Sequence, residues 1–200
     1  MNLFGMTKDL GRQSLAGLRM LLVLTVILGI AYPVAVWGVG RAVPGQADGQ
    51  LVKVDGTVVG SGLIGQDFEG DEWFHSRPSA NDYDTLASAP TNLGPSNPDL
   101  LAAIEERRAA VAEAESVDPA DVPPDALTAS GSGLDPQISV DYARIQVARV
   151  ADANGLPEAD VRALVSRFTE GRSLGFLGEP GVNVLRLNVA VRAAAAQAAG

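Results

Sequence analysis

The longest uninterrupted hydrophobic run in the chain lies between residues 20 and 40. It contains no charged residue, and Arg19 and Arg41 stand at its two ends. About 20 apolar residues in a helix, at 1.5 Å per residue, span a hydrocarbon core of roughly 30 Å. The pattern predicts a transmembrane helix in which Pro33 removes one backbone hydrogen bond. A cleaved signal peptide is the competing interpretation, but its apolar segment is usually shorter and no small-residue cleavage site stands out here.

This run divides the chain into four parts. They are a basic leader (1–19), the span (20–40), a linker (41–50) and a mixed α/β soluble domain with a small sheet (51–200), which together make an α+β fold. Residues 1–41 carry a net charge of +3, which leaves −12 for the rest of a chain whose total is −9. Because positive charge is retained on the cytoplasmic side, we expect a cytoplasmic leader and an extracytoplasmic domain in the plasma membrane.

The first elements of the soluble domain are predicted to be strands. Two β-rich segments flank Asp55-Gly56, which is a strong signal for a hairpin over residues 51–60 because both turn residues need positive φ. The apolar piece 63–65 is interpreted as an extension of this sheet, and Trp73-Phe74 as another short strand.

A Pro-, Asn- and Gly-rich stretch from residue 77 to 98 shows no helical period and is predicted to be an ordered loop. It ends in a helix start, since Asn97 suits the N-cap and Pro98 the first helical position. Apolar residues then recur at helical spacing and predict a helix at about 98–115. After a proline-containing connection, residues 127–129 are interpreted as a short strand.

The last third of the chain alternates helices with short connections. Ser139 is a candidate N-cap for a helix of about 140–153, and a further helix follows Pro157. A short strand is predicted at 174–177. The final segment is predicted to be a helix beginning near Asn183, with a strand at 182–191 as the alternative, because its apolar residues also alternate.

Composition excludes several classes of function. The acidic soluble domain lacks the positive charge that nucleic-acid phosphates require, so we expect no nucleic-acid partner. The chain has no cysteine and a single histidine, His75, which leaves no cysteine nucleophile, no His/Cys metal cluster and little basis for serine-hydrolase chemistry. The acidic run 67–72 lacks the spacing of a calcium loop and is interpreted as a solvated surface. We therefore expect a chain that is not catalytic by itself.

A loop of small residues, Ser130-Gly131-Ser132-Gly133, leaves two interpretations open. Backbone amides in such a loop can bind an anion, which would make it a nucleotide-binding or partner-binding loop. The Gly-Lys-Ser/Thr of a P-loop is missing, however, and Asp135 would repel phosphate. Local chemistry therefore favours a structural turn.

Six motifs nevertheless occur in order along the chain and together are highly specific. They are Ser61–Gln66, Phe74–Ser79, Asn92–Asn97, Leu127–Pro136, Gln146–Ala151, and Gly178–Pro180 followed by Val182–Leu185. A chain with these motifs resembles the C-subunit family of the Kdp potassium-transporting ATPases, from the span to about residue 191. The motif positions that we single out are Gln66, Arg77, Pro78, Asn92, Asn97, Asp135, Gln146, Arg149 and Asn183. Gln137 departs from the family, which usually has histidine there, and so does the region near Gly181, where a basic or polar residue is usual.

The resemblance implies a place in a bacterial or archaeal plasma-membrane complex. Its partners would be a channel-like K⁺-selecting subunit, a P-type ATPase catalytic subunit, a small single-span subunit and membrane lipid. It also implies a non-catalytic accessory role in assembly, with a proposed effect on ATP affinity. ATP and K⁺ would be handled by the complex, so no cofactor is expected on this chain. The rival reading is an independent membrane-anchored binding or sensor domain.

Overall fold

The computed structural model describes residues 3–200, with side chains from residue 9 onward. The first two residues of the predicted leader lie outside the described residues. The chain forms two units, one ending at Asp48 and the other comprising Gly49–Gly200.

The N-terminal unit is a long helix that extends well beyond the predicted span. It consists of α1 (Leu3–Val26), a π-helical turn (Ile27–Ala31) and α2 (Tyr32–Ala42). Its part from Asp9 to Ala42 contains an 18-residue window with a mean hydropathy of 2.3, so it is long and apolar enough to cross a membrane. A short helix, α3 (Pro44–Ala47), follows within the predicted linker.

The π-helical turn ends at Ala31, two residues before Pro33. The Tyr32 amide donates to the carbonyl of Ile27, five residues earlier, instead of to the carbonyl four residues earlier. Since the proline ring in a helix conflicts with the carbonyl four residues before it, a widened turn at this place is physically reasonable. The sequence predicted the loss of a hydrogen bond at Pro33, and the structure adds a local change of helix type.

The soluble unit begins with the predicted hairpin, formed by β1 (Leu51–Val54) and β2 (Thr57–Ser61). Asp55 and Gly56 have φ of 50° and 81°, as a two-residue turn of the predicted kind requires. The predicted strand extension at 63–65 is wrong. Ser61 accepts two hydrogen bonds from the residues that follow, one at its Oγ from the Leu63 amide and one at its carbonyl from the Ile64 amide. These bonds close a turn.

Residues 62–97 contain no regular helix or strand, in agreement with the predicted loop from residue 77 and against the predicted strand at Trp73-Phe74. The helix α4 (Pro98–Glu115) has the predicted bounds, and Asn97 caps it by accepting from the Asp99 amide at 2.8 Å. The prediction of a strand at 127–129 is also wrong.

A single helical turn, α5 (Pro124–Leu127), follows a 3₁₀ turn at Pro119–Asp121 and ends at Leu127, and residues 128–129 after it are irregular. Proline at its first position fixes a helical φ, and the Thr128 amide and hydroxyl both donate to the Pro124 carbonyl. These local bonds outweigh the β preference of the sequence that follows.

A second small sheet holds the rest of the unit together. Its antiparallel order is β3-β5-β4, with β3 at Gln137–Ser139, β4 at Thr169–Glu170 and β5 at Gly181–Asn183. The strand predicted at 174–177 is instead a turn closed by one bridge between Ser173 and Leu177.

The three C-terminal helices are α6 (Val140–Asn154), α7 (Glu158–Arg167) and α8 (Val184–Ala198). The predicted helix beginning near Asn183 is confirmed as α8, and the alternative strand at 182–191 is wrong beyond Asn183, where β5 ends and passes directly into the helix. The buried core lies among these helices and β5, and it includes Phe74, Ile138, Val147, Val150, Val161, Val182, Val184, Leu187 and Val191. The predicted α+β class is confirmed.

Candidate functional site

The backbone around Phe74 is held by side-chain amides from two helices. Asn188 of α8 accepts from the Phe74 amide at 2.8 Å and donates to the Phe74 carbonyl at 2.9 Å. Gln146 of α6 does the same to His75, at 2.6 and 3.3 Å. Both side chains are buried, so these bonds satisfy backbone groups that water cannot reach. This pairing explains why Trp73-Phe74 does not join a strand.

A buried ion pair completes the same cluster. Arg149 binds both carboxylate oxygens of Glu115 at 2.9–3.1 Å, and their side chains are only 9% and 2% exposed. The guanidinium also donates to the carbonyls of Asp71 and Trp73, at 2.8 and 2.9 Å, and to Gln146 Oε1 at 3.0 Å. One side chain thus connects α4, α6 and the irregular 71–75 segment. The motif residues Gln146 and Arg149 therefore act together as positioning groups.

Most backbone amides of the small-residue loop donate hydrogen bonds to other groups of the protein. The Ser130 amide bonds the Pro78 carbonyl at 3.0 Å, and the Gly133 amide bonds the Ser130 carbonyl at 3.3 Å. The amides of Ser132 and Leu134 donate to the hydroxyls of Ser130 and Ser132, at 3.2 and 3.0 Å. An anion would have to displace these bonds, so the geometry favours the structural interpretation of the loop.

Contacts with the loop that begins at Arg77 hold it in place. Arg77 forms an ion pair with Asp135 at 3.0 Å and donates to the Thr128 carbonyl at 3.3 Å. Ser79 Oγ donates to the Gly133 carbonyl at 2.8 Å. The structure therefore brings the motif positions Arg77, Pro78 and Asp135 together at the small-residue loop.

Tyr83 makes a further hydrogen bond to this cluster. Its hydroxyl donates to the Arg77 carbonyl, and burial, as the main cause, raises the pKa of Tyr83 to about 12. A neutral phenol at physiological pH suits a group that donates a hydrogen bond to backbone.

Charge beside the loop opposes phosphate binding. A groove of about 390 Å³ is lined by Arg77 and by four carboxylates, those of Asp125, Asp135, Asp141 and Glu179. Asp135, Asp141 and Glu179 are paired with Arg77, Arg144 and Arg172, which leaves Asp125 as the carboxylate of the groove without an ion-pair partner among the described residues, and this excess of negative charge disfavours an anion. Within the described residues, no group of three or more His, Asp or Glu side chains is arranged to hold a metal ion.

The side chains of four further motif positions form no hydrogen bond with this cluster. Asn183 anchors the hairpin, since its Nδ2 donates to the Gly62 carbonyl at 2.8 Å, and its Oδ1 caps α8. Gln66 donates weakly to the Val59 carbonyl, at 3.4 Å. Asn92 lies exposed in the loop with φ of 57°, and Asn97 caps α4.

Sequence reasoning missed several residues of the site. Glu115 and Asn188 were not singled out, although a charged or amide residue on an otherwise apolar helical face is a signal of a buried polar contact. Asp125 was also missed; its carboxylate accepts from both the amide and the hydroxyl of Ser139.

Gln137, which stands where the family usually has histidine, donates to Glu170 Oε2 at 2.8 Å.

Comparison with known proteins identifies the family. A family model described as KdpC, the c chain of the K⁺-transporting ATPase, matches residues 14–193. The potassium-transporting ATPase KdpC subunit of Kineococcus radiotolerans is 62% identical over 189 residues, covering 94% of this chain and 96% of the relative. The KdpC subunit of Mycobacterium tuberculosis is 52% identical over 185 residues, covering 90% and 97%. The KdpC subunit of Streptomyces coelicolor is 47% identical over 211 residues, covering 92% and 94%.

The family match covers both the long apolar helix and almost all of the soluble unit. Three of the motifs that suggested the resemblance, Phe74–Ser79, Leu127–Pro136 and Gln146–Ala151, contribute residues to the two side-chain clusters, at residues 71–75 and at the small-residue loop. The chain belongs to the KdpC family, the c chain of the K⁺-transporting ATPases.

Proposed function

We propose that the chain is a non-catalytic accessory subunit that assembles and stabilises its potassium-import complex in the plasma membrane. Its partners are the channel-like K⁺-selecting subunit, the P-type ATPase catalytic subunit and the small single-span subunit. The observation that carries this proposal is the span, an uncharged helix with exposed side chains, joined to a soluble unit whose polar groups bond largely to one another. Such a chain offers surfaces for partners, and its described residues include no cluster of three or more His, Asp or Glu arranged to hold a metal ion.

The span itself is proposed to dock on the channel-like subunit. In lipid there is no hydrophobic drive between helices, so contacts depend on close packing through small residues. Gly29, Ala31, Ala35 and Gly38 supply such positions around Pro33. The span then contributes to assembly and is more than an anchor.

Replacing residues 20–40 with leucines of equal length should preserve insertion and weaken assembly. We expect recovery of the complex by affinity purification to fall about tenfold, which corresponds to about 1.4 kcal/mol. The control is a chain whose exposed Arg144 is changed to alanine, which should purify with its partners as before. Unchanged recovery and K⁺ uptake with the polyleucine span would refute docking through the span.

The orientation is proposed from charge, with the N-terminus in the cytoplasm and the soluble unit outside. Three of the four basic residues up to Arg41 precede the span, and transferring them across the bilayer is costly. Protease added to intact spheroplasts should remove the soluble unit. Protection of that unit until the membrane is broken would show that the orientation is reversed.

A direct role in ATP affinity is the second candidate, through nucleotide contact at Ser130–Gly133. The internal hydrogen bonds of that loop and its acidic groove weigh against it. Calorimetric titration of the detergent-solubilised chain with ATP should show no saturable binding up to millimolar concentration. Binding that Ser132→Ala abolishes without unfolding the chain would overturn this expectation and support nucleotide contact.

An independent binding or sensor domain is the rival function. It is distinguished by purification from membranes, because a subunit should copurify with a large channel-like protein and a P-type ATPase. Recovery of the chain alone, at native expression and in mild detergent, would favour the rival.

A further inference from the structure

A cavity of about 380 Å³ lies between the irregular segment 67–83 and residues of α4, α5 and α6. Its volume falls within the range of about 300–1,000 Å³ that is usual for small-ligand sites. It shares only Arg77 with the acidic groove beside the small-residue loop, so it is a separate feature of the surface. We call it the tyrosine cavity, because Tyr83 and Tyr142 line it.

The Tyr142 hydroxyl is a buried polar group that forms no hydrogen bond within the described residues, and only 4% of the residue is exposed. Burial, together with the nearby carboxylates of Glu115 and Asp125, raises the pKa of Tyr142, so the phenol is neutral and keeps a proton to donate. The hydroxyl is not sealed from solvent, because the sealed and unbonded side-chain atoms of the described residues belong to Gln66 and Arg77. A molecule in the cavity can therefore bond to it.

Most other uncharged polar groups of the tyrosine cavity are already bonded. The hydroxyls of Ser76, Ser79 and Tyr83 donate to backbone carbonyls. The Nε2 atom of His75 bonds a further carbonyl at 3.0 Å. These groups give the cavity a fixed wall and leave recognition of a ligand to Tyr142 and to the charged side chains.

Three charged side chains that line the cavity have no counterion among the described residues, namely Arg107, Asp67 and Asp82. Arg107 Nη1 donates to the Leu127 carbonyl at 3.0 Å, which leaves its Nε and Nη2 available to a ligand. The other guanidinium in the wall, that of Arg77, is occupied by the ion pair described above. The cavity thus presents one unpaired positive group and two unpaired negative groups.

We propose that the tyrosine cavity binds a small zwitterion, a free molecule that carries both a carboxylate and an ammonium group. Arg107 holds the carboxylate, the ammonium group lies towards Asp67 and Asp82, and the Tyr142 hydroxyl donates a further hydrogen bond. A simple anion would be repelled by the two carboxylates, and a simple cation by the guanidinium. A ligand with both charges matches all of these groups. This binding role is additional to the proposed accessory function and does not depend on it.

The probe is glycine, titrated by calorimetry into the detergent-solubilised full chain, and we expect saturable binding at millimolar concentration. Acetate and methylammonium each carry only one of the two charges and should bind at least about tenfold more weakly. Tyr142→Phe removes only the hydroxyl and should weaken glycine binding about threefold to tenfold. Arg107→Gln removes the positive charge and should weaken it about tenfold or more.

Tyr32→Phe and Arg108→Gln are the matched controls, because neither residue lines the cavity, and both should bind glycine like the unchanged chain. A urea titration checks the fold of the variants. Tyr142→Phe should unfold at the same urea concentration as the unchanged chain, because the lost hydroxyl has no partner within the described residues. A lower midpoint would show that the hydroxyl is bonded inside the protein and would overturn the inference.

Absence of saturable glycine binding up to about 100 mM would also overturn it. Acetate or methylammonium binding as tightly as glycine would contradict a zwitterion site, and binding that both cavity variants retain would place the glycine elsewhere. If glycine does not bind but Tyr142→Phe lowers recovery of the complex, the cavity receives a side chain of a partner and the inference is wrong. None of these outcomes changes the proposed accessory function, which is tested by copurification.

Discussion

Replacement of Arg149 by alanine should lower the free energy of unfolding of the soluble unit by about 3–5 kcal/mol. The change would leave the Glu115 carboxylate buried without its counterion, and would strand the carbonyls of Asp71 and Trp73. A buried unpaired charge costs far more than the net stabilisation that the intact pair provides. The effect should therefore be among the largest of any single substitution in this chain.

Urea titration of the detergent-solubilised chain measures this loss. Changing Trp37 to phenylalanine leaves Trp73, in the segment that Arg149 holds, as the single fluorescent tryptophan. Arg144→Ala is the matched control, because it breaks an exposed ion pair with Asp141 and should cost at most about 1 kcal/mol. Equal effects of the two substitutions would mean that the buried pair does not hold the 71–75 segment.

Substitution of Gly133 by valine should destabilise the soluble unit by about 2–4 kcal/mol. Gly133 has φ of +70°, a conformation that β-branched residues avoid, and a Cβ there would lie 1.9 Å from Asn81 Oδ1. The sequence alone predicted only the backbone strain. The structure adds the steric conflict and the loss of the tight approach to Ser79, whose hydroxyl binds the Gly133 carbonyl.

Gly131 provides the matched control in the same loop. An added Cβ at Gly131 meets nothing within 4 Å, and its φ is outside the left-handed region. Gly131→Val should therefore change stability by no more than about 0.5 kcal/mol in the same titration. If both substitutions are neutral, the loop is not the fixed structural turn that its hydrogen bonds indicate.

Local patterns predicted the regular elements well. Helical spacing and caps placed α4 at its observed bounds and α6 within one residue at its end, and Asp55-Gly56 placed the hairpin turn. The uncharged run predicted a membrane-crossing helix but not its extension into the leader. The predicted boundary was placed at the charge of Arg19, whereas the helix continues without interruption through the polar residues before it. The family was also identified from the sequence, through the order of its motifs.

Short strands were the weakest predictions. The segments at 63–65, 73–74, 127–129 and 174–177 are turns, helix or irregular chain, whereas β3 was not predicted at all. A strand of two or three residues depends on a partner, and its β propensity is outweighed by any nearby oxygen that captures its amides. Oxygens of Ser61 accept from the amides of Leu63 and Ile64, and the Pro124 carbonyl accepts from the Thr128 amide.

The sequence by itself therefore determined the span, the main helices, the hairpin and the family to which the chain belongs. Only the tertiary structure decided which polar groups meet. Asn188 binds the backbone of a residue 114 positions away, and Gln146 binds one 71 positions away. Periodicity reports on contacts within a few residues along a helix or strand, whereas these pairs form because packing of α6 and α8 leaves buried backbone groups that must be satisfied.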